Sequence, residues 1–497
     1  MEKLIFDKSV HNRKGYSLPK SEVDININDI IDKKFLRKEE LKFPEVSELD
    51  VMRHFIALSH LNHFIEKGFY PLGSCTMKYN PKLHESIVSS QLFSDIHPHQ
   101  TLDTVQGILE IMYELQNDLT EISGMAQTTL QPVAGAHGEF TGLKIIKAYH
   151  KAKGNHHKNV IIFPDSAHGT NPASVTLAGM KVVEISSDEK GMVDLEALKK
   201  VVCENTAGFM LTNPNTLGLF ETQIEEISKI IHSVDGLMYM DGANMNALLG
   251  LVKPGHIGFD VMHYNLHKTL STPHGGGGPG SGAVSVREDL VKFLPYPLVD
   301  FNTAPLCKGD LGEDEDCAGY FFLNSDHKDT SIGKIHSFHG NFAINVRAWI
   351  YIKTLGGKGL REVSENAIIN ANYIRKKLEN VYLVPHNHTY CMHEFVASGN
   401  RQKEKGIKTL DIAKRLLDKG VHAPTIYFPL IVPEAIMIEP TETESKQTLD
   451  DFINAMLEIN EECNTNPDLV LNAPSNTPVK RVDDVKAVKD LNVRHIL

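Results

Sequence analysis

The sequence predicts an α/β fold with a mostly parallel central sheet and a smaller α+β part toward its C-terminal end. Between residues 159 and 286, short apolar runs recur with helical segments between them. That is the pattern of strands buried on both faces and joined by helices. After about residue 330 one long helix-like stretch gives way to a mixture of helical runs and short strands. A length of 497 residues is also too great for one hydrophobic core and calls for at least two domains. The expected division is 1–100 for an arm with helices, 101–330 for the large sheet-bearing domain and 331–497 for the small one.

In chain order, residues 30–66 are rich in charge and leucine, and 70–81 form a non-repetitive loop of turn residues and small hydroxyls. Residues 102–120 have the apolar spacing of a helix. Phe140, Leu143, Ile146 and Tyr149 stand at three-residue steps, one helix face, and a turn of small residues at 131–139 opens that helix. The strand-like runs are 159–163, 181–185, 208–211, 237–240, 261–264 and 283–286, with 194–202 and 221–234 as helices among them. Further on, 343–355 reads as a long helix, and 390–395 and 435–438 as strands. The acidic run at 310–316 reads as a solvated loop.

Bulk properties exclude several functions. A net charge of -12 argues against nucleic acid or an anionic membrane as partner. The six cysteines are scattered, with no C-x-x-C pair, which suggests a reducing compartment without a disulfide framework or cysteine-based zinc site. The first residues lack the apolar run of a secretory signal, and no stretch is apolar enough to span a membrane. A cytoplasmic place is expected. The 25 histidines invite a metal, but neither His84-Glu85 nor His393-Glu394 has a second histidine four residues on, so the zincin pattern fails. His97, His99, His156 and His157 read as solvated or hydrogen-bonded, and no metal is expected. Gly275, Gly277 and Gly280 match the dinucleotide fingerprint in spacing alone. No strand precedes them, Pro279 interrupts them, and a strand-like run follows instead of a helix.

In a parallel sheet ligands collect beyond the carboxyl ends of the strands, so the residues after each run carry the function. Segment 165–172 follows the first run, 212–218 the third, Asp241 the fourth, and His267-Lys268 the fifth. The helix opening at Gly135 adds free backbone N–H groups and a positive dipole end, a phosphate site. Alone, Lys268 beside a glycine-rich loop would be an ordinary surface lysine. Together, an amine, a carboxylate, an imidazole, an amide and an anion nest on one sheet edge point to pyridoxal phosphate. Lys268 would hold the aldehyde as a Schiff base, and Asp241 would keep the pyridine nitrogen protonated. A charge pair 4 Å apart gains about 4 kcal/mol at an effective dielectric near 20, roughly three pKa units. His168 would stack on the ring, Ala243 would pack on its other face, and Asn213 would reach its hydroxyl. Gly135, Ala136 and His137 would cradle the phosphate, with Thr170 and His267 as further contacts. His168 can also be read as a turn-capping histidine and Asn213 as a turn former.

These motifs closely resemble the P-protein of the glycine cleavage system, glycine dehydrogenase (decarboxylating), in its lysine-bearing half. The matching segments are Pro71-Leu-Gly-Ser-Cys-Thr-Met-Lys78, Gly135-Ala-His-Gly-Glu139, Ser166-Ala-His-Gly-Thr-Asn-Pro172, Asp241-Gly-Ala-Asn244, Asn265-Leu-His-Lys268, Pro273-His-Gly-Gly-Gly-Gly-Pro-Gly280, Cys391-Met-His-Glu-Phe395 and Glu439-Pro-Thr-Glu-Thr-Glu444. His339 departs from the tyrosine the resemblance leads one to expect. The resemblance implies a fold-type-I, aspartate-aminotransferase-like enzyme. It implies that glycine loses CO2 and that its aminomethyl group passes to the lipoyl disulfide of the H-protein. It further implies a separate lysine-less subunit, with two copies of each. Ser74, Cys75 and Thr76 are candidates for the mouth of a glycine-sized pocket, and the segment 331–341 for reaching a neighbouring site. Another fold-type-I enzyme, such as an amino-acid decarboxylase or cysteine desulfurase, and a subunit that only binds the lipoyl carrier stand as alternatives.

Overall fold

The computed structural model describes residues 2–39, 41–272, 279–302, 319–323 and 329–493. The glycine loop at 273–278, the acidic run at 310–316 and Cys307 and Cys317 lie outside the described residues. The chain forms two compact units, 1–67 with 473–497, and 68–472. In the first, the helix Glu48–Ser59 starts from a capping box in which Ser47 and Asp50 bond each other's backbone N–H. Much of 10–45 has exposed side chains and little regular structure.

The second unit carries a seven-stranded sheet. Its strands are β1 (Gln127–Thr129), β2 (Val160–Pro164), β3 (Lys181–Ile185), β4 (Thr206–Thr212), β5 (Leu237–Gly242), β6 (Val261–Asn265) and β7 (Gly282–Val286). The order is β1-β7-β6-β5-β4-β2-β3. The pairs among β2 to β6 are parallel, and β7 runs against both its neighbours. All six expected runs are strands. β1 was not expected, because Gln127-Thr-Thr129 carries no apolar run; it is buried by pairing with β7 and by the helix Gln106–Ser123, whose Thr120 hydroxyl meets that of Thr128 at 2.8 Å.

The continuous apolar character of the strands follows from a core on each face. Along β4, Phe209 and Leu211 join one core while Ala207 and Met210 join the other. Along β5, Met238 and Met240 alternate with Leu237 and Tyr239 in the same way. The helix Gln106–Ser123 covers the first face with Leu109, Met112, Leu115 and Leu119. The helix Gly135–Ala152 covers the second with Leu143, Ile146 and Tyr149, and Phe140, the fourth residue picked from the spacing, packs against its edge.

A hairpin of β8 (Leu298–Asn302) and β9 (Gly319–Leu323) follows. The long helix Phe342–Leu378 then breaks at Gly356, where φ is 60°. That break sits where the expected helix 343–355 ends. Its first part packs on the large core through Ile344, Ala348 and Tyr351, and its last turns join a separate core through Ala371, Ile374 and Leu378. The second core backs a three-stranded antiparallel sheet of β10 (Phe395–Ser398), β11 (Thr425–Ile426) and β12 (Ala435–Ile438), in the order β10-β12-β11. The strand expected at 390–395 is a correction: only Phe395 belongs to β10. Residues 391–394 are held irregular by the turn after β4, with Met392 N–H donating to Gly218 O at 2.7 Å. Gly218 has φ +78°, and a Cβ there would lie 1.9 Å from Glu394 O. Only glycine lets the two segments meet.

Candidate active site

Asp241 lies one residue before the end of β5, between Thr212 of β4 and His263 of β6, which are its register partners. Its carboxylate is fully buried and therefore needs partners. His168 Nδ1 lies 2.7 Å from Oδ2, Asn171 Nδ2 donates to Oδ2 at 2.9 Å, and Ala243 N–H donates to Oδ1 at 3.0 Å. His263 Nε2 lies 3.2 Å from Oδ1 but out of line for a hydrogen bond, while its Nδ1 meets the Tyr239 hydroxyl at 2.8 Å. Burial alone would push the Asp241 pKa up. The His168 and His263 rings and the bonds from His168 and Asn171 overcome this and hold it far below the usual carboxylate range. Asp241 is a permanent buried anion.

Lys268 lies in a single helical turn, Leu266–Thr269, directly after β6. Its Nζ donates to Ser74 O at 2.7 Å. Ser74 is the hub of the site. Its N–H donates to Glu394 Oε2 at 2.6 Å, and its hydroxyl meets His168 Nε2 at 2.9 Å. The backbone at Ser74 and Thr76 has φ of 65° and 52°, the left-handed region that costs a side-chain-bearing residue. The loop is held there by clamps from behind. Thr76 donates from N–H and Oγ1 to Glu439 at 2.9 and 2.6 Å. The buried Lys78 ammonium donates to Glu442 Oε1 and Asn246 Oδ1, both at 2.7 Å, and to Thr269 O at 2.9 Å.

These groups surround a cavity of about 390 Å³. Gly135, Ala136, His168, Thr170, Ala243, Lys268, Ser74 and Cys75 line it, all of them residues expected from the sequence. Five expected residues are not in the lining. Asp241 stands behind it and reaches it through the lining His168, whose Nδ1 is 2.7 Å away. His137 stands one residue past the lining Ala136, its Nδ1 accepting from Val133 N–H at 3.3 Å. His267 is turned to Ser281, with Nδ1 3.0 Å from its carbonyl, and burial pushes its pKa down to about 4. Asn213 Oδ1 accepts from Glu221 N–H at 3.0 Å, closing the turn after β4. Thr76 faces Glu439. Sequence reasoning assigned no role to Glu139, Asn265, Thr425 or Phe428, which also line the cavity. Glu139 accepts from the hydroxyls of Thr170 and Ser174, each at 2.6 Å. Its place four residues into the helix that opens at Gly135 was the available signal. A larger cavity of about 530 Å³ lies at the break of the long helix. Its lysines are already paired, Lys253 with Glu121 and Lys353 with Glu114 and Asp118.

The residues fit pyridoxal phosphate. The helix Gly135–Ala152 starts without a side-chain cap, so its first N–H groups suit a phosphate. Gly135 packs so closely that a Cβ would lie 2.2 Å from Asn265 Oδ1. Around the site Asn265 Oδ1, Asn213 Nδ2, Asn171 Oδ1 and Thr212 Oγ1 are buried without a hydrogen-bond partner, and such atoms call for a polar ligand.

Behind the Ser74 loop lies a second buried acid. Burial and the neighbouring Glu439 push the Glu394 pKa well above its ordinary value, the opposite direction from Asp241. His393, also fully buried, finds no partner for either ring nitrogen, and burial keeps it neutral. Cys75 is likewise kept a thiol, its pKa raised to about 11 by burial.

Two family models match the chain: "Glycine cleavage system P-protein" over residues 16–305 and "Glycine dehydrogenase, C-terminal domain" over 363–480. A curated protein of Chloroherpeton thalassium, "Probable glycine dehydrogenase (decarboxylating) subunit 2", is 55% identical over 495 residues, 99% of this chain and 98% of that one. Among solved structures, a glycine decarboxylase (P-protein) in inhibitor-bound form has a TM-score of 0.71 at 19% identity, covering 87% of this chain and 94% of that one. The glutamate decarboxylase of Lactobacillus brevis has a TM-score of 0.62 at 13% identity, covering 86% and 95%. The two solved structures show the fold, that of fold-type-I pyridoxal-phosphate enzymes. The relative and the family models do not favour the alternatives of another enzyme of this fold.

Proposed function

We infer, from the premise that this chain belongs to the glycine cleavage system P-protein family, that the cavity at Lys268 is where it binds pyridoxal phosphate and decarboxylates glycine. The observation that carries this is the meeting of Lys268 and His168 on one cavity at the carboxyl edge of the sheet, with the buried anion Asp241 held 2.7 Å behind the His168 ring. Lys268 would hold the cofactor's aldehyde carbon and Asp241 its pyridine nitrogen. His168 and Ala243 would bracket the ring. Gly135, Ala136 and His137 would take the phosphate, with Thr170, His267 and Asn213 as outer contacts. When bound, pyridoxal phosphate supplies an electron sink for the pair left on the glycine α-carbon as CO2 departs.

The chain's own residues prepare that step. Ser74 and Asp241 grip the His168 ring from both nitrogens, so its plane is set before any ligand arrives. The Ser74 carbonyl gives the Lys268 amine a hydrogen-bonded place when it is not holding the cofactor. Among the described lining residues Lys268 is the only lysine or arginine. Cys75, kept a thiol, is a poor nucleophile toward a disulfide entering the cavity.

The acceptor is the lipoyl disulfide of the H-protein. The α-carbon of glycine bonds one sulfur, the S–S bond breaks, and the other sulfur takes the electron pair and one proton. A separate lysine-less subunit 1 completes the enzyme, in two copies of each, in the cytoplasm. Relatives carrying the name subunit 2 support the partner, and no helix among the described residues is long and apolar enough to cross a membrane. Residues 101–330 supply the cofactor side of the cavity, Ser74 and Cys75 of the preceding loop its mouth, and Thr425 and Phe428 of the smaller domain its outer edge. The segment 331–341 lies along residue 131 of its own chain, Gly340 N–H donating to Gln131 O at 3.1 Å.

Lys268→Ala tests the site. The variant should lose the borohydride-trappable cofactor adduct and release no CO2 from glycine. An unchanged trapped adduct would place the cofactor elsewhere.

A further inference from the structure

The stretch 421–433 contains no Asp, Glu, Lys or Arg, in a chain of which 23% is charged. It runs from just before β11 to just before β12 and forms one edge of the cavity. Thr425 and Phe428 line the cavity, and Thr425 Oγ1 ties the stretch to Gly73 O at 2.8 Å. Phe428 and Val432 anchor it below, in an apolar cluster with Leu217, Leu219 and Met437. Above, Leu430 is 87% exposed, Tyr427 41% and Ile431 36%. Three prolines, Pro424, Pro429 and Pro433, stiffen it and remove three backbone donors. A single exposed leucine is ordinary. An uncharged, stiff ledge whose apolar side chains continue into the active cavity is not.

We propose that this ledge seats the aliphatic arm of the lipoyl group, guiding its disulfide past Phe428 toward Lys268. The inference rests on the reading that a lipoyl disulfide is the acceptor. The chemistry matches on both sides. The arm is uncharged, and between its amide and its disulfide it is a run of methylenes, so that part gains by leaving water and would gain nothing from an ion. A ledge already stiff loses little freedom when the arm settles on it. Continuity with the cavity selects the arm over the body of a carrier protein, because the bound group has to travel from the ledge inward.

The test uses the complete enzyme with its partner subunit. Glycine decarboxylation is followed at varied concentrations of lipoylated carrier and, separately, of free lipoamide, which has the arm and no protein. Leu430→Ser should raise the apparent KM about five- to tenfold for both acceptors, the scale of one apolar side chain. Glycine binding, read from the cofactor's absorbance, and sedimentation with the partner should stay as in the wild type. Leu430→Met should restore the wild-type KM. An unchanged KM for lipoamide in Leu430→Ser overturns the proposal, as does loss of partner association, which would make the ledge a subunit interface. If the wild-type complex responds to neither acceptor, the acceptor reading itself fails, and the proposal with it.

Discussion

Two fully buried carboxyl groups at one site have their pKa values pushed in opposite directions. Asp241 sits among donors and rings, which lower it; Glu394 is buried beside another acid, which raises it. Asp241→Asn keeps the volume and removes the charge. With the pyridine nitrogen no longer held protonated, CO2 release should fall about a thousandfold, the rate equivalent of about 4 kcal/mol. Activity within threefold of wild type would sink the assignment. Glu394 acts through pH. Its folded-state pKa is raised above the ordinary 4.5, so between the two values the folded chain holds a proton that the unfolded chain has lost. Stability therefore falls as pH rises above about 4.5 and stops falling once the folded-state pKa is passed. Glu439, His393 and Lys268 are the charged or titratable groups that bear on it. Glu394→Gln removes this penalty. Its melting temperature should match wild type near pH 4 and exceed it by a margin that widens toward neutrality. A margin independent of pH would mean that Glu394 is ionised in the folded protein. Asp241 is the converse, stabilising at all pH above its ordinary value and losing that contribution only in strong acid. Asp241 was legible in the sequence because it follows a strand-like run. Glu394 was not, since its state depends on Glu439, which folding alone brings beside it.

At the scale of elements, the strands of the large sheet were readable because each is buried on both faces and must be apolar throughout. The segments that close the cavity were not. The loop 70–80 reads as turn residues, and nothing local says that Thr76 meets Glu439 or that Lys78 meets Glu442. The stretch 390–395 has a strand's composition, yet the turn at Gly218 claims its backbone. That contact can be tested. Gly218→Ala adds both a left-handed alanine and a Cβ 1.9 Å from Glu394 O, whereas Gly154→Ala, at φ +76°, adds the same strain in open space. Gly154→Ala should cost about 1 kcal/mol, and Gly218→Ala at least about 2 kcal/mol more, with weakened cofactor binding. Chemical denaturation and cofactor titration of the two variants measure this. Equal losses would show that the segment 391–394 moves aside freely.

For the whole molecule the expectation is an enzyme completed by a second subunit. Sedimentation and glycine–bicarbonate exchange should be measured on this chain, on its partner and on the mixture, and only the mixture should give full exchange. Full exchange from this chain alone would end the split-enzyme reading. The clamp between Thr76 and Glu439 bridges 363 residues of sequence, and this has a consequence for how the protein is made. A chain emerging from the ribosome exposes Lys268 long before Glu439 exists to anchor the loop that bonds that lysine. At about 5–20 residues per second the interval is on the order of ten seconds or more. Throughout it the nascent polypeptide carries the amine without the walls around it. A product ending before β12 would carry Lys268 with the loop beside it unclamped, since Glu439 is missing.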